Sequence, residues 1–407
     1  MSGVRPLAAL AAATVASVGG TRLSVIAIPW LVLTTTGSPV LTGLVGMAEL
    51  LPYVVAKALA GPLIDRLGAR RMAITCDLLS MVAVGLVPLL HFAGLLQFYV
   101  LLPAVALIGV LRAPADAAKQ ALVPYVADIG NMPLERVTGI MGASDRLAGT
   151  LGAAAAGGLI ALIGPMPALM VNAGAFLASA ILVSAGVPKQ VRAVAAGQPV
   201  SYRADFSAGW AALRNEPVLM AMVVMIAVTN LFDQAYAIVL LPVWVREAGL
   251  DVSWVGILLA IFSAGAIAGA TVAAATAEKL PRLFVYTTGF VFAGPAPMVA
   301  LASGLPMPVL AGVLTISGFA AGFLNPIVGA ILFERIPKAM VGRVIALVGA
   351  LGWVLMPFGG LYAGVLVTNT GISPALVLTG MLYLVAALSP IAVPAFRQMK
   401  RQQPAKA

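Results

Sequence analysis

Apolar positions in this chain neither alternate with polar ones nor form a one-sided helical stripe. They run in continuous blocks of about 20 residues or more, the length a helix needs to cross a bilayer. Short stretches carrying Gly, Pro and charge separate them. This spacing predicts twelve spans, near 7–33, 41–63, 72–92, 96–117, 137–163, 168–187, 217–244, 254–276, 283–303, 308–333, 344–367 and 375–396. A membrane β-barrel would show alternating apolar and polar residues in short segments, and the continuous runs exclude it. The expected fold class is all-α integral membrane, with 12 transmembrane helices.

The longest polar stretch, 188–216, leaves six blocks on each side. It predicts an N-terminal six-helix bundle over 1–188 and a cytoplasmic linker over 189–216. A C-terminal six-helix bundle with a basic tail follows over 217–407. Features recur across the linker in the same order. Pro29 and Trp30 end the first block as Pro242 and Trp244 end the seventh. Gly61 pairs with Gly269, Pro124 with Pro337, and Gly157-Gly158 with Gly359-Gly360. The offsets are 213, 208, 213 and 202 residues, which argues for a duplicated six-helix unit in two pseudo-symmetric bundles. Many secondary transporters are built from such repeats.

Loop charge gives the orientation. One set of loops holds Arg66, Arg70 and Arg71; Lys119 and Arg136; Lys189, Arg192, Arg203 and Arg214; Lys279 and Arg282; and Arg335, Lys338 and Arg343. The tail adds Arg397, Lys400, Arg401 and Lys406. The opposite loops hold only Arg246. Lys and Arg are retained on the cytoplasmic side, so both termini are expected there, in a multi-pass protein of the cell's inner (cytoplasmic) membrane. The first block, preceded only by Arg5, reads as a retained helix rather than a cleaved signal peptide. Trp30, Tyr53, Trp244 and Trp254 are expected in an outer aromatic belt, and Lys57 is expected to snorkel to the inner interface.

Composition narrows the function classes. The chain is 61% hydrophobic and 9% charged, against about 25% charged in a soluble domain, and its mean hydropathy is +1.05. A cytosolic enzyme, a disordered protein and a secreted disulfide scaffold are excluded on that ground. Cys76 is the only cysteine and His91 the only histidine, so neither a disulfide nor a Cys- or His-based metal centre is expected. The net charge of +10 has no soluble domain on which to form a nucleic-acid surface. With no phosphate-binding Gly-x-x-x-x-Gly-Lys-Ser/Thr loop, ATP is not expected as a direct energy source. No cofactor is expected, no enzymatic activity, and a monomer in membrane lipid.

The segment between the second and third blocks reads Gly61-Pro-Leu-Ile-Asp65-Arg66-Leu-Gly68-Ala69-Arg70-Arg71. It resembles the signature loop of the major facilitator superfamily, Gly-x-x-x-Asp-Arg-x-Gly-Arg-Arg/Lys, and departs from it at Ala69. The resemblance implies a gate: Asp65 and its arginines, with Arg112 and Asp116 at the end of span four, hold one face shut during alternating access. Read physically, the same residues are a tight turn, a helix cap and surface charge. In span five, Gly149-x-x-x-Ala153-Ala154-x-x-Gly157-Gly158 is similar to the family's antiporter motif without its Gly-Pro centre; close packing of small residues in lipid is the competing reading. Ile28-Pro29-Trp30 with Thr36-Gly37-Ser38, the stretch Tyr202 to Arg214, Leu134-Glu135-Arg136 with Gly139, and Ile336-Pro337 with Gly342-Arg343 resemble the macrolide, multidrug and siderophore exporters of that superfamily, including actinobacterial multidrug exporters.

Ionised side chains inside a span are functional candidates by default, because each costs about 2.5–3.5 kcal/mol at mid-bilayer. Arg22 is predicted roughly 22 Å into span one at 1.5 Å per residue, and Glu49 roughly 12 Å into span two from the other side. Their depths overlap, which suggests an Arg22–Glu49 ion pair. Asp145 and Arg146 begin span five; Asn230, Asp233 and Gln234 lie in span seven. Glu49 and Asp233, with Asp145 third, are the candidate proton carriers. Arg22 and Arg146 are the groups that would tune them. Arg22, Glu49, Asn230, Asp233 and Gln234 are candidates to contact substrate. The alternative is that Arg22–Glu49 and Asp145–Arg146 are structural pairs. The expected activity is proton-coupled export of hydrophobic or cationic small molecules, with protons ahead of sodium ions. Uptake, uniport, or a non-transporting sensor or assembly role are the alternatives.

Overall fold

The protein is described here from a computed structural model, which covers residues 4–189, 202–276, 279–336 and 341–399. Among these residues there is no strand, and twelve helices are long and apolar enough to cross a membrane. They are α1 Val4–Thr36, α2 Pro39–Leu67, α3 Ala69–Phe92, α4 Phe98–Gly130, α5 Arg136–Ile163 and α6 Pro165–Gly186, followed by α7 Pro217–Glu247, α8 Ser253–Thr276, α9 Arg282–Ala302, α10 Met307–Leu332, α11 Leu347–Thr370 and α12 Ile372–Ala392. A shorter helix, Tyr202–Arg214, precedes α7. Much of the linker, Pro337 and Lys338, and Lys400, Arg401 and Lys406 of the tail lie outside the described residues.

Two compact units form, one from 1–194 with 241–260 and the other from 195–240 with 261–407. In the first, α1 packs on α5 and α6, α2 on α4, and α3 on α4 and α6. In the second, α7 packs on α11 and α12, and α9 on α10 and α12. Large apolar side chains point outward along the helices, among them Leu59, Val82, Leu162, Phe284 and Val385. An exterior of this kind is stable against hydrocarbon, where burying apolar surface between helices brings no gain over lipid.

The helices accommodate proline in two ways. Pro29, Pro52, Pro62, Pro88, Pro103 and Pro114 lie inside unbroken stretches of helix in the first unit. Pro390 likewise lies inside α12 of the second unit, whereas α4 breaks before Pro124, α9 before Pro295 and α11 before Met356-Pro357. Within α7, a π-helical turn, Tyr236–Leu240, comes just before Pro242. Proline supplies no N–H to the carbonyl four residues back, here that of Ile238, and a widened turn absorbs the gap. Between α2 and α3 the chain reverses at Gly68. Its φ of 85° belongs to a region that glycine enters at little cost, and its N–H bonds the Ile64 carbonyl at 2.8 Å.

Helix α4 corrects the sequence reading. The span was expected to stop near 117, with Lys119 as a loop charge. Instead the helix continues through Lys119 to Ala121, and a further turn, Val123–Gly130, starts with Pro124. Lys119 is 4% exposed and Asp77, on α3, is 0% exposed. Lys119 Nζ donates to Asp77 at 2.9 Å, and Ser179 Oγ on α6 donates to the other carboxylate oxygen at 2.6 Å. A charge ends a buried helix only when nothing opposes it; here three helices meet on one matched pair. Removing one partner of a buried pair costs about 3–5 kcal/mol, whereas neutral replacement of both costs much less. Lys119→Met is therefore expected to lower the melting temperature of the purified protein sharply, and Asp77→Asn combined with Lys119→Met to recover most of that loss in the same thermal scan.

Candidate functional site

The site in the first unit starts from a close approach of two backbones. Gly109 on α4 lies directly against the Glu49 carbonyl on α2, so that a Cβ at 109 would collide with it. Residues three apart share a helix face, so this contact brings Arg112, one turn further along α4, beside the Glu49 side chain. Arg112 Nη1 donates to Glu49 Oε1 at 2.5 Å, with both residues under 10% exposed. Arg112 Cζ also stands 4.5 Å from the centre of the Tyr53 ring, and Lys57 Nζ 5.5 Å from it. The Tyr53 hydroxyl donates to Asp116 Oδ2 at 3.2 Å. Glu49, Tyr53 and Lys57 lie at four-residue steps on α2, and Arg112 and Asp116 at the same step on α4. Two facing helical stripes thus form one polar seam.

This differs from the expected arrangement. Glu49 pairs with Arg112, not with Arg22: depth along a span sets the level of a side chain, while helix packing sets which neighbour it faces. Arg112 is not confined to the gate at the end of span four, and Tyr53 is 6% exposed within the seam rather than in an aromatic belt. Asp77 and Lys119 were missed as a buried pair. The signal was available, since Asp77 falls inside the predicted 72–92 block.

Arg22 is exposed, and among the described residues no carboxylate lies within ion-pair distance of it. Its side chain rests along α5 over two glycines. A Cβ at Gly149 would stand 3.1 Å from Arg22 Nη2, and one at Gly152 would stand 3.2 Å from Arg22 Cγ. The charged groups acting on Arg22 are Arg112 and Asp145. Asp145 and Arg146 are both exposed and form no ion pair with each other, as expected of adjacent helical residues, which point in different directions. In the rest of the antiporter-like stretch, Gly157 meets Gly256 backbone to backbone, while Gly158 has open space.

In the signature loop, Asp65, Arg66 and Arg71 are exposed, and a Cβ at Gly61 would meet nothing. Arg70 reaches from this loop to the end of α6. Its Nε donates to the Val187 carbonyl at 2.7 Å and Nη2 to the Ser184 carbonyl at 2.6 Å. It thus caps the C-terminus of α6, where carbonyls lack partners and the helix dipole favours a cation.

In the second unit, Asp233 is exposed near the end of the regular part of α7, immediately before the π turn. The Tyr383 hydroxyl on α12 lies toward it and toward Thr229, and among the described residues Asp233 forms no ion pair. Asn230 Nδ2 donates to the Gly352 carbonyl at 2.8 Å, beside the break in α11. Gln234 is half-buried, and a Cβ at Gly359 would come within 3.0 Å of its own Cβ. The ion pairs at one end of this unit join Arg282 to Glu334 at 2.6 Å and Arg335 to Glu216 at 3.2 Å.

Comparison with known proteins bears on what such a bundle does. The chain is 27% identical over 405 residues to the multidrug efflux pump Tap of Mycolicibacterium fortuitum, covering 97% of both chains. It is 28% identical over 397 residues to the pump of that name from Mycobacterium tuberculosis, covering 95% of this chain and 93% of the relative. Among solved structures it is similar in fold to the nucleoside transporter NupG, with a TM-score of 0.73 at 13% identity over 95% of this chain and 98% of that one. It is also similar to an inward-facing bacterial homologue of the human lysosomal transporter Spinster, with a TM-score of 0.71 at 16% identity over 99% of each. The Major Facilitator Superfamily model matches residues 10–253 and 223–407. With twelve apolar helices and that match across almost its whole length, the chain is a multi-pass membrane protein and belongs to the Major Facilitator Superfamily of transporters.

Proposed function

We propose that this transporter exports hydrophobic or cationic small molecules in exchange for protons, by alternating access of its two halves, 1–188 and 217–407, joined by the 189–216 linker. It works in the cytoplasmic membrane with both termini inside, the orientation that the loop charges support. The observation that carries the reading is the Glu49–Arg112 pair. A carboxylate held in an apolar bundle by one guanidinium can be ionised and paired or protonated and neutral, and a proton converts one to the other. The relatives named as multidrug efflux pumps support export over nearly the full length.

The substrate class follows from which charges lack partners. Asp145 and Asp233 are exposed carboxylates without an ion pair among the described residues, and such groups attract cations. Apolar side chains beside them suit an amphipathic cation. Asp233 is the second candidate for the proton, and protons are favoured over sodium ions. Asn230 and Gln234 would touch substrate; the Asn230 amide has a second hydrogen to offer beyond the one that bonds Gly352. Arg70, by capping α6, would hold the signature loop in place while Asp65, Arg66 and Arg71 form the gate. Uptake or uniport of a small solute is the second reading, favoured by the uncharged polar pair Asn230 and Gln234. Imposing the pH gradient in each direction in proteoliposomes separates them: an exchanger moves substrate against the proton flow, a proton-coupled uptake carrier moves it with the proton flow, and a uniporter is indifferent to the gradient.

Glu49→Gln and Asp233→Asn test the carriers. Coupling free energies correspond to about 5–150-fold effects. At least one of the two variants is therefore expected to lose about tenfold or more of pH-gradient-driven transport across a panel of cationic dyes and drugs. Full gradient-driven transport in both would sink the exchange reading. The Arg22 slot gives a separate expectation. Gly149→Val should displace the guanidinium and reduce transport as much as Arg22→Gln does. The double variant should be no worse than either single one, because residues acting through one contact are not additive.

A further inference from the structure

Three charged groups lie on one face of α4, Arg112, Asp116 and Lys119, at positions i, i+4 and i+7. Lys119 is fully matched by Asp77 and Ser179. Arg112 is held by Glu49. Asp116 is different: it is half-buried, and its hydrogen bond is to a neutral group, the Tyr53 hydroxyl. Side chains four apart on a helix have Cβ atoms about 5–6 Å apart, within the sweep of an arginine. The surface between the two carboxylates is the Tyr53 ring, over which the Arg112 guanidinium already stands. A cation can move across an aromatic face without passing through apolar surroundings.

We propose that Asp116 is the second seat of Arg112. The guanidinium holds Glu49 while that carboxyl is ionised and passes one turn along α4 to Asp116 when Glu49 takes up a proton. The proton bonds to a Glu49 carboxylate oxygen, and the guanidinium keeps all its own protons throughout. The exchange gives the buried arginine a carboxylate in both states, whereas beside a neutral Glu49 alone it would be an uncompensated buried charge. It also breaks the Glu49–Arg112 bond between α2 and α4 and leaves Tyr53–Asp116 as the described side-chain hydrogen bond across the seam. Protonation would thereby loosen the seam at Gly109, where the two backbones touch. The other charged groups facing this seam are Arg22 from α1, Lys57 from α2, Asp145 from α5 and, toward Asp116, Asp77 from α3, itself held by Lys119. Arg22 opposes any position of Arg112, and Lys57 competes with it for Asp116. Asp116 is thus a positioning residue for the proton site. The inference deepens the exchange reading given above and rests on it for its functional meaning.

A double-mutant cycle read by thermal unfolding of the purified, full-length protein tests the partner swap and needs no substrate. Glu49→Gln leaves Arg112 a place to go, and Asp116→Asn leaves the original pair intact. Together they leave the arginine without a carboxylate. The double variant should melt at least ~4 °C below the sum of the two single losses, and the same pair of changes made with Arg112→Met should be additive. Additivity in the presence of Arg112 overturns the proposal. Should the double variant not fold, the single variants decide it through the pH profile of ethidium–proton exchange in proteoliposomes. Asp116→Asn should shift the profile to lower pH, because protonated Glu49 would strand the arginine. Tyr53→Phe should shift it to higher pH, because Asp116 loses its hydroxyl donor and holds Arg112 more strongly. Opposite shifts support the swap; profiles that coincide with the wild type, or two shifts of one sign, overturn it. An ethidium flux indifferent to pH in the wild type would overturn the exchange reading instead, and the thermal cycle would still decide the swap.

Discussion

An ion inside an apolar bundle must find a counter-ion within reach or give up its charge, and much of the first unit is arranged around that requirement. Helix α4 carries two buried cations on one face, and their partners come from three other places. Glu49 on α2 answers Arg112; Asp77 on α3, braced by Ser179 on α6, answers Lys119. Apolar contact alone gives membrane helices little reason to prefer one neighbour over another, since lipid tails are as apolar as the side chains. Matched charges and close glycine contacts supply that preference. They specify which helices meet and at what register, whatever their net contribution to stability.

The second unit meets the same constraint differently. Its described ion pairs, Arg282–Glu334 and Arg335–Glu216, each include a partner that is about one-third exposed, so they avoid most of the cost of burial. Its helices are interrupted at Pro295, Pro357 and the π turn before Pro242. The freed backbone groups are met by side chains, as Asn230 meets the Gly352 carbonyl. Asp233 stands at the edge of the π turn with the Tyr383 hydroxyl toward it. The first unit therefore holds a charge-matched, nearly closed polar seam, and the second holds an open carboxylate beside irregular backbone. That division suits a transporter in which one site stores a proton and the other meets a cation.

The legible and illegible parts of the site separate cleanly by residue. Glu49 and Asp233 could be picked out because a carboxylate inside a long apolar run is rare whatever it faces. Asp77 satisfied the same rule and was overlooked beside the loop it nearly adjoins. Lys119 could not be placed correctly from its neighbours, because it reads as a loop charge until Asp77 is known to oppose it. Arg22 and Glu49 were matched by depth, and the structure gave Glu49 to Arg112 because Gly109 lets α4 press against α2 at that level. Gly149 looked like part of a family motif; its place in the fold is as the floor beneath Arg22.

The sequence by itself determined the number and approximate limits of the spans, the all-helical class and the family. Those depend on properties read one segment at a time: bilayer thickness fixes block length, and the signature loop is contiguous. The tertiary structure alone decided which ions pair, that α4 runs on through Lys119, and that Tyr53 and Asp116 share the Glu49 site. Those depend on the rotation of one helix against another, which apolar blocks with apolar residues on every side do not encode. Only the meeting of particular small and charged residues across two helices settles it.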